Sequence, residues 1–160
     1  MNMRLGESYI WSDYVMLKLS KKSDYALIAL KHLATHSNDG SCSAADIAEL
    51  YGISAPLMAK VLQKLARVGL VVARHGSSGG YTLGRDARTI TALETINAID
   101  GPVSLTSCVT HHGNCDQTHT CTIKEPLRKV NHSILEMLSK VTISQMADDA
   151  PASEVVELRV

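Results

Sequence analysis

Residues 43–83 carry the pattern that most constrains the fold, because two short helical segments are followed directly by a glycine-rich hairpin. Residues 43–46 match a capping box, with Asp in place of the usual Glu or Gln, and predict a helix over Ala44–Leu50. Residues 51–52 (Tyr-Gly) end that helix, and Ser54 is expected to cap the next one. This order of elements predicts a mainly α fold with a small β-hairpin, namely a winged helix-turn-helix domain.

The helix predicted after Ser54 has two chemically different faces. Its apolar residues recur at helical spacing and are expected to face the core: Met58, Val61, Leu62, Leu65 and Val68. The polar face is formed by Lys60, Gln63, Lys64 and Arg67. Gly69 is expected to stop the helix. Such a helix can enter the major groove of DNA, where Gln suits adenine and Arg suits guanine or phosphate.

The hairpin is predicted from two strand-like runs, residues 70–74 and 81–83, which flank a loop rich in glycine. Arg74 and His75 stand at its entry, within reach of phosphate or the minor groove. Tyr81 is expected to pack at the base of this wing rather than to contact DNA.

The distribution of charge supports this interpretation. The chain has a formal net charge of zero, yet residues 51–85 contain no Asp or Glu. A basic face on a neutral protein is typical of phosphate binding. The alternative is that the gap in acids is due to chance and that the polar face is simply solvated. The candidate DNA contacts are Ser54, Lys60, Gln63, Lys64, Arg67, Arg74 and His75.

Helices are also predicted on both sides of this region. One begins at a cap on Ser20, with Tyr25, Ile28, Ala29 and Leu33 at helical spacing, and another spans residues 89–100. A last helix is predicted from a capping box at residues 122–125, and its apolar residues follow a heptad spacing: Leu127, Val130, Ile134, Met137 and Val141. Pairing with a second copy of the chain is favoured, and the alternative is packing on its own domain.

These elements divide the chain into five parts. The predicted division is an N-terminal extension (1–15), a winged helix-turn-helix DNA-binding domain (16–101), a cysteine loop (102–122), a dimerisation helix (123–147) and a polar tail (148–160).

The cysteine loop holds three of the four cysteines, Cys108, Cys115 and Cys121, whereas Cys42 lies far away in sequence. The chain has neither an apolar run long enough for a membrane span nor a signal peptide, so a cytoplasmic location is expected. Thiols stay reduced there, which favours metal binding over a disulfide. The three thiolates cannot complete a four-coordinate site, so a fourth ligand is needed from a loop histidine or a distant carboxylate.

The spacing of the cysteines leaves the kind of metal open. Six residues separate the first pair and five the second, and there is no C-x-x-C pair of the kind that structural zinc sites usually use. This loose spacing suits an iron–sulfur cluster, while zinc stays possible. Direct thiol sensing is a further alternative. No general-base arrangement is recognisable, so an enzyme is not predicted.

From residue 16 to about 147 the chain resembles the Rrf-two family of bacterial transcription regulators, most of all its proteobacterial SUF-system iron–sulfur assembly regulators. The motifs that carry the resemblance are residues 19–27 (LSKKSDYAL), 43–48 (SAADIA), 61–65 (VLQKL), 79–83 (GGYTL) and the three-cysteine loop. The resemblance implies a homodimer that binds operator DNA. It also implies that each subunit offers three cysteines to a cluster, 2Fe–2S being favoured over 4Fe–4S.

The resemblance also suggests a fourth ligand. IscR-like members use a histidine three residues after the last cysteine, where this chain has Lys124. NsrR-like members use an aspartate early in the first helix, given by the partner subunit, and Asp24 occupies that position. A carboxylate there is also explained by its interaction with the helix dipole. The function expected is cluster-dependent repression of SUF-type assembly genes, and the alternative is a nitric-oxide-responsive or cluster-free thiol regulator.

Overall fold

A computed structural model of the chain describes residues 19–76, 79–105 and 120–148. The described residues are mostly helical, and the two strands form an antiparallel hairpin, so the predicted fold class is confirmed. A 3₁₀ turn, Ala87–Thr89, precedes the fourth helix. The elements are α1 (Lys21–Thr35), α2 (Ala44–Leu50), α3 (Ala55–Arg67), β1 (Val71–Arg74), β2 (Gly80–Leu83), α4 (Ala92–Asp100), α5 (Lys124–Lys140) and α6 (Ile143–Asp148).

Helix α1 is the centre of the domain and packs against α3, α4 and α6. Its predicted cap is confirmed, because Oγ of Ser20 accepts a 3.1 Å hydrogen bond from the Ser23 amide. Tyr25 and Ile28 are only half-buried. The face that enters the core consists of Ala26, Ala29, Leu30 and Leu33.

The capping box of α2 is also confirmed: Ser43 Oγ accepts from the Asp46 amide at 3.1 Å, and the Asp46 carboxylate accepts from the Ser43 amide at 3.3 Å. Ser54 occupies the N-cap position of α3, but its side chain makes no capping hydrogen bond, contrary to the prediction. Pro56 has no amide hydrogen, and the Leu57 amide donates to the backbone carbonyl of Ser54 at 3.0 Å.

The end of α3 differs from the sequence-based expectation at one residue. Met58, Val61, Leu62 and Leu65 are buried as predicted, but Val68 is exposed. The helix ends at Arg67, and Gly69 turns the chain with a φ of +77°, a left-handed conformation that glycine adopts without strain. Val68 therefore lies outside the helical stripe that faces the core.

The two strands of the wing pair from Val71 opposite Leu83 to Arg74 opposite Gly80. The free edge of β2 is bridged by Cys42, which exchanges backbone hydrogen bonds of 2.8 and 3.1 Å with Tyr81. A Cβ at position 80 would lie 2.6 Å from the Cys42 carbonyl oxygen, so this close approach requires glycine. Tyr81 packs half-buried against the core, as predicted for the base of the wing.

The fourth helix begins later than predicted. The 3₁₀ turn is capped by the Asp86 carboxylate, which accepts from the Arg88 amide, and Ile90 is extended. Helix α4 starts at Ala92, with Thr91 as its N-cap.

The predicted long helix, whose apolar residues end at Val141, is observed as α5, but its start differs from the prediction and a second helix, α6, follows it. The capping box at 122–125 does not form, because Ile123 takes the N-cap position with helical dihedral angles and no side-chain cap. Helix α5 ends at Lys140, and an extended segment then pairs with the chain before α4. The Ala92 amide donates to the Val141 carbonyl at 2.8 Å, and the Ile143 amide to the Ile90 carbonyl at 2.9 Å. The fully buried Ile143 starts α6, which packs against α1.

A histidine pair connects α1 to the turn after α2. Nδ1 of the buried His32 lies 3.3 Å from the Tyr51 hydroxyl, and the rings of His32 and His36 stack with their centroids 4.1 Å apart. Burial lowers the pKa of His32, and the neighbouring His36 lowers it further. The neutral form of His32 is therefore favoured in the folded protein.

Candidate nucleic-acid interface and cysteine loop

The outer face of α3 is held in place by the four buried side chains on its inner face. All four polar residues assigned to the outer face are exposed: Lys60, Gln63, Lys64 and Arg67. Ser54, at the start of the helix, is exposed as well and has an uncommitted hydroxyl in the described part of the chain. The structure therefore brings five of the seven predicted DNA contacts onto one helix.

Lys64 is more constrained than the sequence indicated. Its Nζ atom donates a hydrogen bond to the backbone carbonyl of Ile99, in the last turn of α4. An ammonium group has three donors, so two remain available for another partner.

The other two predicted contacts lie on the wing. Arg74 ends β1 and His75 follows it, and both are exposed. Residues 77–78 of the wing loop lie outside the described residues.

The ion pairs of the described residues lie away from α3 and the wing strands. Four of them join basic residues to carboxylates in the 3₁₀ turn, the residues beside it, α4 and α5: Arg85–Glu94, Arg88–Asp86, Arg128–Glu125 and Lys140–Glu136. Within residues 19–76, 79–105 and 120–148, none of the basic residues of α3 or the wing has such a partner. Arg85 also lies in the acid-free stretch of sequence. It differs from the basic residues of α3 and the wing because it forms an ion pair with Glu94.

Of the three loop cysteines, Cys121 is within the described residues, half-buried and directly before the residues that lead into α5. Cys108 and Cys115 lie outside the described residues, as do the loop histidines. Lys124, which stands where the IscR-like members have histidine, is the first residue of α5.

The described start of the loop is attached to both flanking helices. The Val103 amide donates to Oδ1 of Asn97 on α4 at 3.2 Å, and the Leu105 amide donates to Oδ1 of Asn131 on α5 at 3.0 Å. Asn131 is buried in the middle of α5, and sequence reasoning missed it. The sequence holds no local signal for this role, because the burial of Asn131 depends on how the segment 26 residues earlier packs against α5.

Asp24 lies in the first turn of α1 and is half-buried. Its amide donates to the Ser20 carbonyl at 3.0 Å, but in the part of the chain that the structure describes its carboxylate has no hydrogen bond or ion pair. The carboxylate is therefore available to a partner that is not among these residues.

The carboxylate that does bind the start of α1 belongs to Asp100, the last residue of α4. Its two oxygens accept from the hydroxyls of Ser20, at 2.9 Å, and Ser23, at 2.6 Å. Partial burial acts to raise the pKa of Asp100, but these hydrogen bonds and the charges of Lys64 and Lys22 outweigh it and leave the pKa below its ordinary value. The cysteine loop thus begins directly after a residue fixed to α1.

Comparison with known proteins places this arrangement in a family. A family model described as an iron-dependent transcriptional regulator, Rrf2, matches residues 19–149. The chain belongs to the Rrf2 family. This match covers the winged helix, the cysteine loop and the helices that follow, so the resemblance stated from the sequence motifs is confirmed.

Rrf2-family relatives share most of the length of the chain. The HTH-type transcriptional regulator IscR of Yersinia pseudotuberculosis is 32% identical over 141 residues, covering 88% of this chain and 85% of the relative. IscR of Vibrio vulnificus is 34% identical over 142 residues, covering 89% and 82%. These relatives are named as regulators rather than enzymes, in agreement with the absence of a predicted catalytic arrangement.

Solved structures of Rrf2 regulators show the same fold. T. potens IscR superposes with a TM-score of 0.66 at 30% identity, covering 85% of this chain and 94% of that structure. CymR, the global cysteine regulator of B. subtilis, superposes with a TM-score of 0.72 at 27% identity, covering 82% and 97%. The Rrf2 protein described here is therefore an IscR-like transcriptional regulator with a DNA-binding winged helix. Among the described residues, no helix is long and apolar enough to cross a membrane.

Proposed function

We propose that this protein is an iron–sulfur cluster-dependent repressor of SUF-type cluster assembly genes, and that it acts in the cytoplasm as a homodimer on operator DNA. The observation that carries the proposal is the single match to an iron-dependent regulator family that spans both the winged helix and the cysteine loop. In this proposal residues 16–101 bind DNA and residues 102–122 bind the cluster, while α5 replaces the longer segment 123–147 as the dimerisation helix.

For DNA recognition, α3 enters the major groove. Gln63 has the amide that suits adenine, and Arg67 has the guanidinium that suits guanine or phosphate. Ser54, Lys60 and Lys64 contact the backbone. The wing residues Arg74 and His75 reach phosphate or the minor groove. This assignment is supported by the exposure of all these side chains and by the lack of carboxylate partners for their cations in the described structure.

For the cofactor, the ligands are Cys108, Cys115 and Cys121 of one subunit and Asp24 of the partner subunit. Three thiolates and one carboxylate suit an iron–sulfur centre, and we favour 2Fe–2S. The fit is supported by the half-exposed Cys121 thiol and by the uncommitted Asp24 carboxylate. When bound, such a cluster supplies a redox- and iron-sensitive group.

Coupling between the loop and the DNA-binding face follows from the local connections. The loop begins next to Asp100, which is bound to the first turn of α1, and Asp24 lies in that same turn. The neighbouring Ile99 carbonyl accepts from Lys64 on α3. Cluster binding by the loop is therefore able to shift the position of α3. This coupling requires that the two positions of α3 differ in the affinity of the loop for the cluster.

For dimerisation, α5 and the residue before it carry an exposed apolar stripe. Ile123, Val130 and Met137 are spaced by seven residues and are 58%, 50% and 68% exposed. Heptad spacing of exposed apolar residues is typical of a helix that pairs with a copy of itself.

A second candidate function keeps the DNA binding and replaces the cluster by direct reaction of the loop thiols. The free, half-exposed thiol of Cys121 is the observation that favours it. A nitric-oxide-responsive regulator would bind the same kind of cluster, and it differs from the main proposal only in the signal that the cluster detects.

Anaerobic purification from iron-supplied cells tests the main proposal. A brown protein with visible absorption, and with stoichiometric iron and sulfide, is expected. Cys115→Ala should abolish the absorption and alter operator binding, whereas the matched control Cys42→Ala, outside the loop, should retain both. A colourless wild-type protein whose DNA binding responds to thiol alkylation would instead support the second candidate.

A further inference from the structure

Three lysines from two helices surround one cavity beside the outer face of α3. Lys22 comes from the first turn of α1, and Lys60 and Lys64 come from α3. The cavity has a volume of about 120 Å³, and its apolar walls are formed by Leu57, Val61 and Ile99. Val61 and Ile99 are each 3% exposed, so these walls belong to the fixed core of the domain.

Among the described residues, none of the three lysines that line this cavity forms an ion pair, and one of them is held by a hydrogen bond. Lys64 is oriented by its hydrogen bond to the Ile99 carbonyl, which leaves two of its donors free. Lys22 and Lys60 have no side-chain hydrogen bond or ion pair with any residue in the described ranges. Lys60 and Lys64 are also four residues apart on one helix, a spacing at which like charges destabilise the helix.

The carboxylate of Asp100 is affected by the charges of two of these lysines, and it is already engaged in hydrogen bonds. Lys64 and Lys22 both help to lower the pKa of Asp100, after the hydrogen bonds of Ser20 and Ser23. Both oxygens of Asp100 accept from those two hydroxyls. Asp100 therefore offsets part of the positive charge, and the three lysines still outnumber it.

We propose that Lys22, Lys60 and Lys64 together form a seat for one backbone phosphate of double-stranded DNA. The inference rests on the proposed DNA-binding function and adds the start of α1 to the DNA contact surface. Three lysines that line one cavity without an ion-pair partner among the described residues favour an anion there, and DNA bound by α3 brings phosphates to this side of the domain. A contact of this kind positions the protein on the duplex and carries no sequence information.

The salt dependence of DNA binding provides the test, and a mixed-sequence DNA fragment is a sufficient probe because the contact does not depend on sequence. Dissociation constants are measured over a range of KCl concentrations for wild type, Lys22→Gln, Lys22→Arg and the matched control Lys31→Gln, on the same helix. For Lys22→Gln we expect weaker binding and a log–log salt slope smaller in magnitude by about 0.9. Lys22→Arg and Lys31→Gln should keep the wild-type slope, with unchanged thermal unfolding in all variants.

The outcomes separate this inference from the proposed function. If wild type binds DNA and Lys22→Gln keeps the slope of Lys31→Gln, the seat is refuted while DNA binding stands. If wild type does not bind DNA, the DNA-binding function fails and the seat fails with it. Calorimetric titration with inorganic phosphate is a second measurement. If wild type binds phosphate tightly, Lys22→Gln removes this binding and the salt slope of DNA binding is unchanged, the cavity is a small-anion site. That result would overturn the assignment to DNA.

Discussion

The hydroxyl of Ser23 donates a 2.6 Å hydrogen bond to Oδ2 of Asp100, and this bond joins the first turn of α1 to the last residue of α4. Ser23 is fully buried, so its hydroxyl has no access to water as an alternative partner. Ser23 directly precedes Asp24 in α1, and Asp100 directly precedes the segment that leads to the cysteines. The bond therefore joins the turn that carries Asp24 to the start of the segment that leads to the cysteines.

Replacing Asp100 should destabilise the domain. Asp100→Ala leaves the Ser23 hydroxyl buried without an acceptor, which typically costs about 1–3 kcal/mol in the free energy of unfolding. Asp100→Asn keeps one acceptor oxygen and should cost less. Urea denaturation measures both, with Glu49→Ala, an exposed acid on α2, as the control. An Asp100→Ala variant as stable as this control would show that the bond contributes nothing.

Acidification should reduce stability through His32. The pKa of His32 is lowered in the folded protein, so the unfolded chain binds a proton first as the pH falls through the ordinary value of 6.5. The contribution of His32 is therefore present above that pH and is lost as the pH falls toward the folded pKa. Urea denaturation at about pH 7.5 and about pH 5.5 should show a smaller pH dependence for His32→Gln than for wild type. The exposed His132→Gln is the control, and equal pH dependence in all three proteins would contradict this assignment.

Asp24→Ala should change the visible spectrum of the cluster and speed its loss, since a ligand is removed. The matched control is Asp39→Ala, an exposed aspartate in the turn after α1. Spectra recorded anaerobically and on exposure to air measure both effects. Identical spectra and lifetimes for wild type and Asp24→Ala would show that another group is the fourth ligand.

Gln63→Ala should weaken binding to the preferred DNA sequence by about 1–3 kcal/mol and relax specificity at one base pair. The probe is a duplex selected from a random library by the wild-type protein. Binding to mixed-sequence DNA should change little, and Thr35→Ala at the far end of α1 is the control. Equal losses on both DNA probes would assign Gln63 to the backbone instead.

Met137→Glu should shift the protein toward monomers, because a charge would be placed in the exposed apolar stripe of α5. His132→Glu introduces the same charge about half a turn around the helix from Val130 and serves as the control. Sedimentation velocity distinguishes the two. A dimer that persists in Met137→Glu would place the subunit interface elsewhere.

Local sequence signals predicted several helix ends, although the side-chain cap at Ser54 and the capping box at 122–125 do not form. The Ser20 cap, the Ser43 capping box and the stop at Gly69 each depend on a few adjacent residues, and all three are observed. The extended segment after Lys140 was not predicted, because it pairs with residues 90–92, about fifty positions earlier in the chain, and no periodicity window detects such a pairing. The hydrogen bond from Ser23 to Asp100 escaped prediction for the same reason.

The site shows a similar division. The exposure of Lys60, Gln63 and Arg67 could be predicted from the helical period of α3, because residues opposite a buried face of a helix are exposed. Lys22 was not predicted as a DNA contact. Its position beside α3 depends on how α1 crosses α3, and this crossing has no local sequence signal.

The bridge between Cys42 and Tyr81 has a consequence for solubility. An exposed strand edge offers unpaired amides and carbonyls to other chains, and a two-stranded hairpin has two such edges. In this protein the backbone of Cys42 occupies the edge of β2 at Tyr81, so this part of the edge is closed to a neighbouring chain. The bridge therefore removes one place at which two wings could pair edge to edge.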